Sequence, residues 1–123
     1  PTTAIYGDTQ REEVIALLKQ HVRPDEVILA PEIVIPYEAG NRVDRYMGKA
    51  RWQDPRSFLK VLEEKKPKAV LYSIATLPAA SFEKVVQDPE VHRILLRDFD
   101  SKTIGDYTLW LKKKEGSDRF EEI

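Results

Sequence analysis

Two short apolar runs, Val27-Ile28-Leu29-Ala30 and Ala69-Val70-Leu71-Tyr72-Ser73-Ile74-Ala75, constrain this chain more than anything else in it. Neither keeps a polar-apolar alternation, so each suits a strand covered on both faces. The first lies between Asp25-Glu26 and Pro31, and the second follows Pro67. Ahead of the second run, Phe58, Leu59, Val61 and Leu62 recur at helical spacing behind Asp54-Pro55, an N-cap residue followed by Pro at the first helical position. Residues 43–47 alternate enough for a further short strand. This makes a strand, helix, strand crossover, right-handed in nearly all known cases. Buried strands joined by helices read as a parallel sheet between helical layers, with 27–30 as the central strand.

Thr9 followed by Glu12 is a capping-box pattern, and Val14, Ile15, Leu17, Leu18 and Val22 then recur at helical spacing, so a helix is expected over 10–22. Residues 31–40 read as a short, Pro-interrupted helix that stops at Gly40 in the left-handed conformation. A further short helix is expected over 81–87. Asp88-Pro89 again offers an N-cap and a first-turn Pro, but His92-Arg93-Ile94-Leu95-Leu96-Arg97-Asp98-Phe99 suits a helix or a strand, and we read it as a strand. With 100–106 as a turn, its partner is Tyr107-Thr108-Leu109-Trp110-Leu111, which is β-branched, aromatic and alternating. The expected fold is α/β: a three-layer Rossmann-like domain over 1–114 with a short, mostly parallel sheet and a C-terminal antiparallel hairpin. A tail over 115–123 follows it.

At 123 residues, 41% of them hydrophobic, the chain suffices for one ordinary core without metal or disulfide staples. Twenty Lys and Arg against twenty-one Asp and Glu leave a formal charge of -1. Without a basic excess there is little to release counterions from phosphates, which argues against nucleic acid as a partner. The absence of Cys excludes disulfide frameworks, thiolate zinc sites and thiol nucleophiles. The richest apolar stretch, 27–37, is interrupted by Pro31, Glu32 and Pro36 and falls short of the roughly 18 residues that a membrane-spanning helix needs. The chain opens at Pro1 without an initiator Met or a charged-then-apolar leader, so a segment of a longer polypeptide is expected.

Parallel α/β sheets carry ligands beyond the carboxyl ends of their strands, and a nucleotide there needs glycines that let the backbone approach phosphate. Here that turn reads Ala30-Pro31-Glu32. The Pro removes a donor and the carboxylate repels phosphate, so no nucleotide cofactor is expected. His21 falls near the end of the first helix, where a protonated ring interacts favourably with the helix dipole. His92 has no nearby His or Cys, so a metal site is not expected. Ser73 and Ser81 lack nucleophile-elbow glycines and read as a strand hydroxyl and a helix cap. Most carboxylates, Glu12-Glu13 and Glu63-Glu64 among them, belong to charge-mixed, solvated faces. One stretch stands apart: Glu32, Tyr37, Glu38, Asn41 and Arg42 follow the central strand, and Trp52 lies in the next loop. These six form the candidate acceptor or interface surface. The plainer alternative is that they close the sheet edge while Trp52 covers the core.

The order of segments has a counterpart. A helix ending in Val22-Arg23-Pro24-Asp25-Glu26 is followed by Val27-Ile28-Leu29-Ala30-Pro31 and Ile35-Pro36-Tyr37-Glu38-Ala39-Gly40-Asn41-Arg42. Ala69-Val70-Leu71-Tyr72, the Asp88-Pro89 segment and Tyr107-Thr108-Leu109-Trp110 continue the series. This order resembles the soluble C-terminal domain of membrane glycosyltransferases of the GT-C class, family 39 in character. Those are the dolichyl-phosphate-mannose protein mannosyltransferase-like enzymes and their bacterial aminoarabinose-transferase relatives. The resemblance implies a parent transferase using a polyprenyl-phosphate-linked sugar donor, with any divalent metal held in that parent. Its catalytic carboxylate would lie in an extracytoplasmic loop between N-terminal membrane helices. Those helices are not in these residues, so no catalytic, lipid-phosphate-binding or metal-binding position is carried onto this chain. The implied role is a non-catalytic extracytoplasmic domain, partnered by the N-terminal transmembrane domain of the same polypeptide and by a glycan, lipid or protein acceptor. The alternative from another class is a free-standing cytoplasmic Rossmann-like ligand-binding or regulatory domain.

Overall fold

A computed structural model of the chain describes residues 2–31, 34–43, 53–73 and 79–114. The elements are α1 (Thr2–His21), β1 (Val27–Leu29), α2 (Val34–Glu38), β2 (Arg42–Val43), α3 (Pro55–Lys65), β3 (Ala69–Ser73), α4 (Ala79–Gln87), α5 (Pro89–Asp98), β4 (Phe99–Ile104) and β5 (Tyr107–Lys112). The strands form one five-stranded sheet in the order β2-β1-β3-β5-β4. β1 is parallel to β2 on one side and to β3 on the other, while β5 runs antiparallel to both β3 and β4. Four of the five strands therefore point one way, with β5 alone reversed.

Side chains leave a strand alternately to its two faces, and here both faces are covered. Ile28, Ala69, Leu71, Leu109 and Leu111 pack with Val14 and Leu18 of α1 and Ile35 of α2. Leu29, Val70, Tyr72 and Trp110 pack on the other side with Phe58 and Val61 of α3, Phe82 and Val85 of α4 and Leu95 of α5. The three expected layers are thus present, and β3 is buried along its whole length. The connection through α2 steps from β1 to one side, and the connection through α3 steps back past β1 to the other. Steps in opposite directions place their helices on opposite faces when both crossovers have the same hand.

Local chemistry sets several helix ends. The Asp54 carboxylate accepts from the Arg56 N–H at 3.3 Å and the Ser57 hydroxyl at 2.7 Å, with Pro55 opening α3. Asp88 likewise accepts from the N–H groups of Glu90 and Val91 at 3.2 and 3.3 Å, and Pro89 opens α5. After α2 the Gly40 N–H donates to the Tyr37 carbonyl and the Asn41 N–H to the Pro36 carbonyl, with Gly40 at φ 80°. That is a Schellman stop of the kind expected at Gly40. Beyond α3 the corresponding left-handed position is filled by Lys66, at φ 47° and ψ 57°. An L side chain held there costs about 1–2 kcal/mol, whereas Gly adopts the conformation without strain. Lys66→Gly is therefore expected to stabilise the domain by about 0.5–1 kcal/mol, the gain being reduced by the extra freedom of Gly in the unfolded chain. Thermal unfolding should show a melting point about 2–5 °C higher; an unchanged or lower one would mean that Lys66 contributes through its side chain.

Three boundaries differ from the sequence expectation. α1 begins at Thr2, so Thr9 lies inside the helix and the capping box does not start it. The 94–99 strand is not formed: α5 runs to Asp98. Asp88 and Pro89 have already nucleated the helix, and Val91, Ile94 and Leu95 at helical spacing give it one core-facing stripe. The first strand of the hairpin is instead Phe99–Ile104, which takes in most of the expected 100–106 turn and has only its two ends buried. A sheet-edge strand needs no continuous apolar run. The chain reversal shrinks to Gly105-Asp106, with Gly105 at φ 56°, the sign that a type II′ turn requires at its first central residue. β2 is described at Arg42–Val43; the remainder of the expected 43–47 strand, residues 74–75 of the expected 69–75 strand, and the 115–123 tail lie outside the described residues. No helix among the described residues is long and apolar enough to cross a membrane.

Candidate functional surface

The candidate surface is built on the return from β1 to β2. α2 packs its Ile35 side against α1 and the sheet, which leaves Val34 and Tyr37 outward at i and i+3, 48% and 78% exposed. Sequence reasoning singled out Tyr37 but missed Val34, although that same i, i+3 spacing was its available signal. Next to Tyr37 the Glu38 carboxylate accepts a hydrogen bond from the Arg11 guanidinium of α1. Asn41 is only 8% exposed, and its amide Nδ2 donates to the carbonyls of Val22 at 3.3 Å and Arg23 at 2.7 Å. It thereby ties the start of β2 to the chain leaving α1.

This placement separates the residues that the sequence grouped together. Ala30 and Pro31 follow the carboxyl end of β1, whereas Asn41 and Arg42 stand at the amino end of β2, parallel to β1, with Val27 opposite Arg42. α2 carries the chain back along the sheet, so its C-terminal residues arrive at the end opposite Ala30. Glu32 and Trp52, together with the Arg42 side chain, lie outside the described residues. Among the described members, Tyr37 and Glu38 share the outer side of α2, while Asn41 is turned inward.

The Asp98 carboxylate lies below its ordinary range chiefly because the Arg97 guanidinium donates to it at 2.8 and 3.0 Å. Glu90 is lowered by its hydrogen bond from Arg93, and Asp54 by that from the Ser57 hydroxyl. Each shift keeps the carboxylate ionised at neutral pH, where a general acid needs the opposite. Burial raises the Tyr72 phenol, which holds it neutral beneath the sheet. His21 occupies the last turn of α1, as the dipole reading expects, and the exposed His92 lies on α5. Among the described residues no three metal-ligating side chains converge.

No protein-family model matches the chain, and no curated protein matches it. Among solved structures it is similar to the crystal structure of the C-terminal globular domain of an oligosaccharyltransferase from Archaeoglobus fulgidus. The TM-score is 0.52 at 15% sequence identity, over 83% of this chain and 96% of that one. At this identity the likeness is one of fold.

Proposed function

We propose that this chain is a non-catalytic, extracytoplasmic C-terminal domain of a membrane-bound glycosyltransferase that uses a polyprenyl-phosphate-linked sugar. The observation that carries the reading is the fold likeness to a C-terminal globular domain of an oligosaccharyltransferase, which takes in 83% of this chain and 96% of that one. The segment order described above supports the same class from the sequence side. In this reading the N-terminal transmembrane domain of the same polypeptide supplies the catalytic carboxylate, the donor-lipid site and any divalent metal. The present domain contributes acceptor recognition or structural support, and a glycan, lipid or protein is the acceptor class. Of the residues Glu32, Tyr37, Glu38, Asn41, Arg42 and Trp52, we assign Tyr37 and Glu38, on the outer side of α2, to that contact, and Asn41 to holding β2 in place. The described residues favour Tyr37, joined by Val34, as its outward part.

The reading is tested on the parent polypeptide. Its upstream coding region should encode several hydrophobic segments, and transfer from a polyprenyl-phosphate-linked sugar should require them. The isolated 123-residue chain should transfer nothing and give blank calorimetry with common nucleotides. Tyr37→Ala should lower transfer by the parent while leaving the melting curve of the isolated domain unchanged, since the ring is largely exposed. A coding region without such segments, or tight nucleotide binding by the isolated chain, would replace this reading with the free-standing ligand-binding domain.

A further inference from the structure

We propose that the outer edge of β4 is a docking site for an extended peptide that adds a strand to the sheet and alternates acidic with apolar side chains. The proposal stands independently of the reading above. β4 ends the sheet and pairs only with β5, in an unbroken register from Phe99 opposite Lys112 to Ile104 opposite Tyr107. The Lys113 N–H donates to the Asp98 carbonyl at 2.8 Å, which sets the phase of this antiparallel ladder. Narrow pairs alternate with wide ones, so residues 100, 102 and 104 direct their backbone groups at β5. The N–H and C=O groups of Ser101 and Thr103 consequently point away from the sheet. Two donors and two acceptors are thus presented in one line on a strand that has neither Pro nor bulge to blunt its edge.

Two clefts flank that line, each about 530 Å³, and Ser101 borders both. On the α1 face the cleft is bordered by Lys102, Lys112, Lys113 and Lys114 and by Asp100; Lys112 follows Trp110 onto the other face of β5 and the Lys113 ammonium donates to the Leu96 carbonyl at 3.2 Å, so Lys102 and Lys114 are the cations open to a ligand there. On the α5 face the cleft is bordered by Val86, Leu96 and Trp110, and Leu96 is 61% exposed. An added strand continues the alternation of its neighbour, sending successive side chains into the two clefts in turn. The lysine cleft selects acidic side chains and the Leu96 cleft apolar ones. Lys102 would ordinarily guard such an edge against pairing; here it sets the sign of the strand that is admitted. A second copy of this chain is disfavoured as the occupant, because it would bring a second lysine cleft to the same edge.

The test uses the 123-residue chain and a synthetic eight-residue peptide in which Glu and Val alternate. At saturating peptide, amide exchange at Ser101 and Thr103 should slow at least tenfold, while the Lys102 amide, already committed to β5, stays unchanged. A peptide N-methylated at alternate residues should not bind, and a Lys-Val repeat should bind at least tenfold more weakly. Thr103→Pro removes an outward N–H that the ladder does not use and should weaken binding at least tenfold with a native melting curve. Should that variant fail to fold, Lys102→Glu reads the same contact by reducing the preference for the Glu peptide. Unchanged exchange at Ser101 and Thr103, equal binding of the N-methylated or Lys-containing peptide, or concentration-dependent self-association through β4 would overturn the proposal.

Discussion

Replacing Phe82 by Ala is expected to destabilise the domain by about 3–5 kcal/mol. Phe82 is buried on α4 and is the ring that joins the layer on its side of the sheet. It stacks on Tyr72 of β3 with centroids 4.3 Å apart and planes 16° apart. It also meets Phe58 of α3 edge-on at 6.2 Å and Trp110 of β5 at 5.4 Å. Truncation removes the transfer energy of the ring and leaves a cavity whose walls belong to four elements, so collapse of one wall cannot fill it. The ring pairs add about 0.5–1.5 kcal/mol each beyond area. Thermal unfolding should fall by roughly 10–20 °C, with Phe82→Leu losing much less. A loss below about 1 kcal/mol would show that α4 does not pack through this ring.

Asn41→Asp should cost about 2–4 kcal/mol at neutral pH, because it exchanges a donor for a charge facing two carbonyl oxygens. In the native protein the Asn41 amide serves the carbonyls of Val22 and Arg23, and its own Oδ1 is buried without a partner among the described residues. A carboxylate there would be desolvated beside two acceptors, so its folded pKa would rise above the unfolded value of about 3.9. The sign follows from linkage. The folded state then favours the protonated side chain, so the penalty is small below the unfolded pKa and grows as pH rises through the raised value. Urea unfolding of the variant at several pH values should show its deficit shrinking on acidification, whereas Asn41→Leu should show a deficit independent of pH. A flat profile for Asn41→Asp would mean that the side chain turns out to solvent.

Little of the candidate surface was legible before the fold. Tyr37 could be seen as an aromatic residue after a Pro, but Asn41 bonds to residues 18 and 19 positions away and Glu38 to one 27 positions away. No local pattern encodes such partners. The grouping with Asn41 and Arg42 follows chain proximity, and α2 undoes that proximity by carrying the chain from Ala30 and Pro31 to the other end of the strands.

What the sequence determined by itself was whatever depends on a few neighbouring residues. Asp54 and Asp88 cap helices because a carboxylate reaches N–H groups two or three residues ahead. Gly40 stops α2 because the left-handed turn there suits a residue without a Cβ, and 69–73 is a buried strand because its run leaves no face for water. The tertiary structure decided the segment after Asp88. Residues 94–98 suit helix and strand comparably, and the core packing of Val91 and Leu95 selects the helix. The polar Phe99–Ile104 stretch becomes a strand because β5 is beside it to receive its hydrogen bonds. Edge pairing and core packing are energies of partners distant in the chain, so they exist only once the sheet has formed.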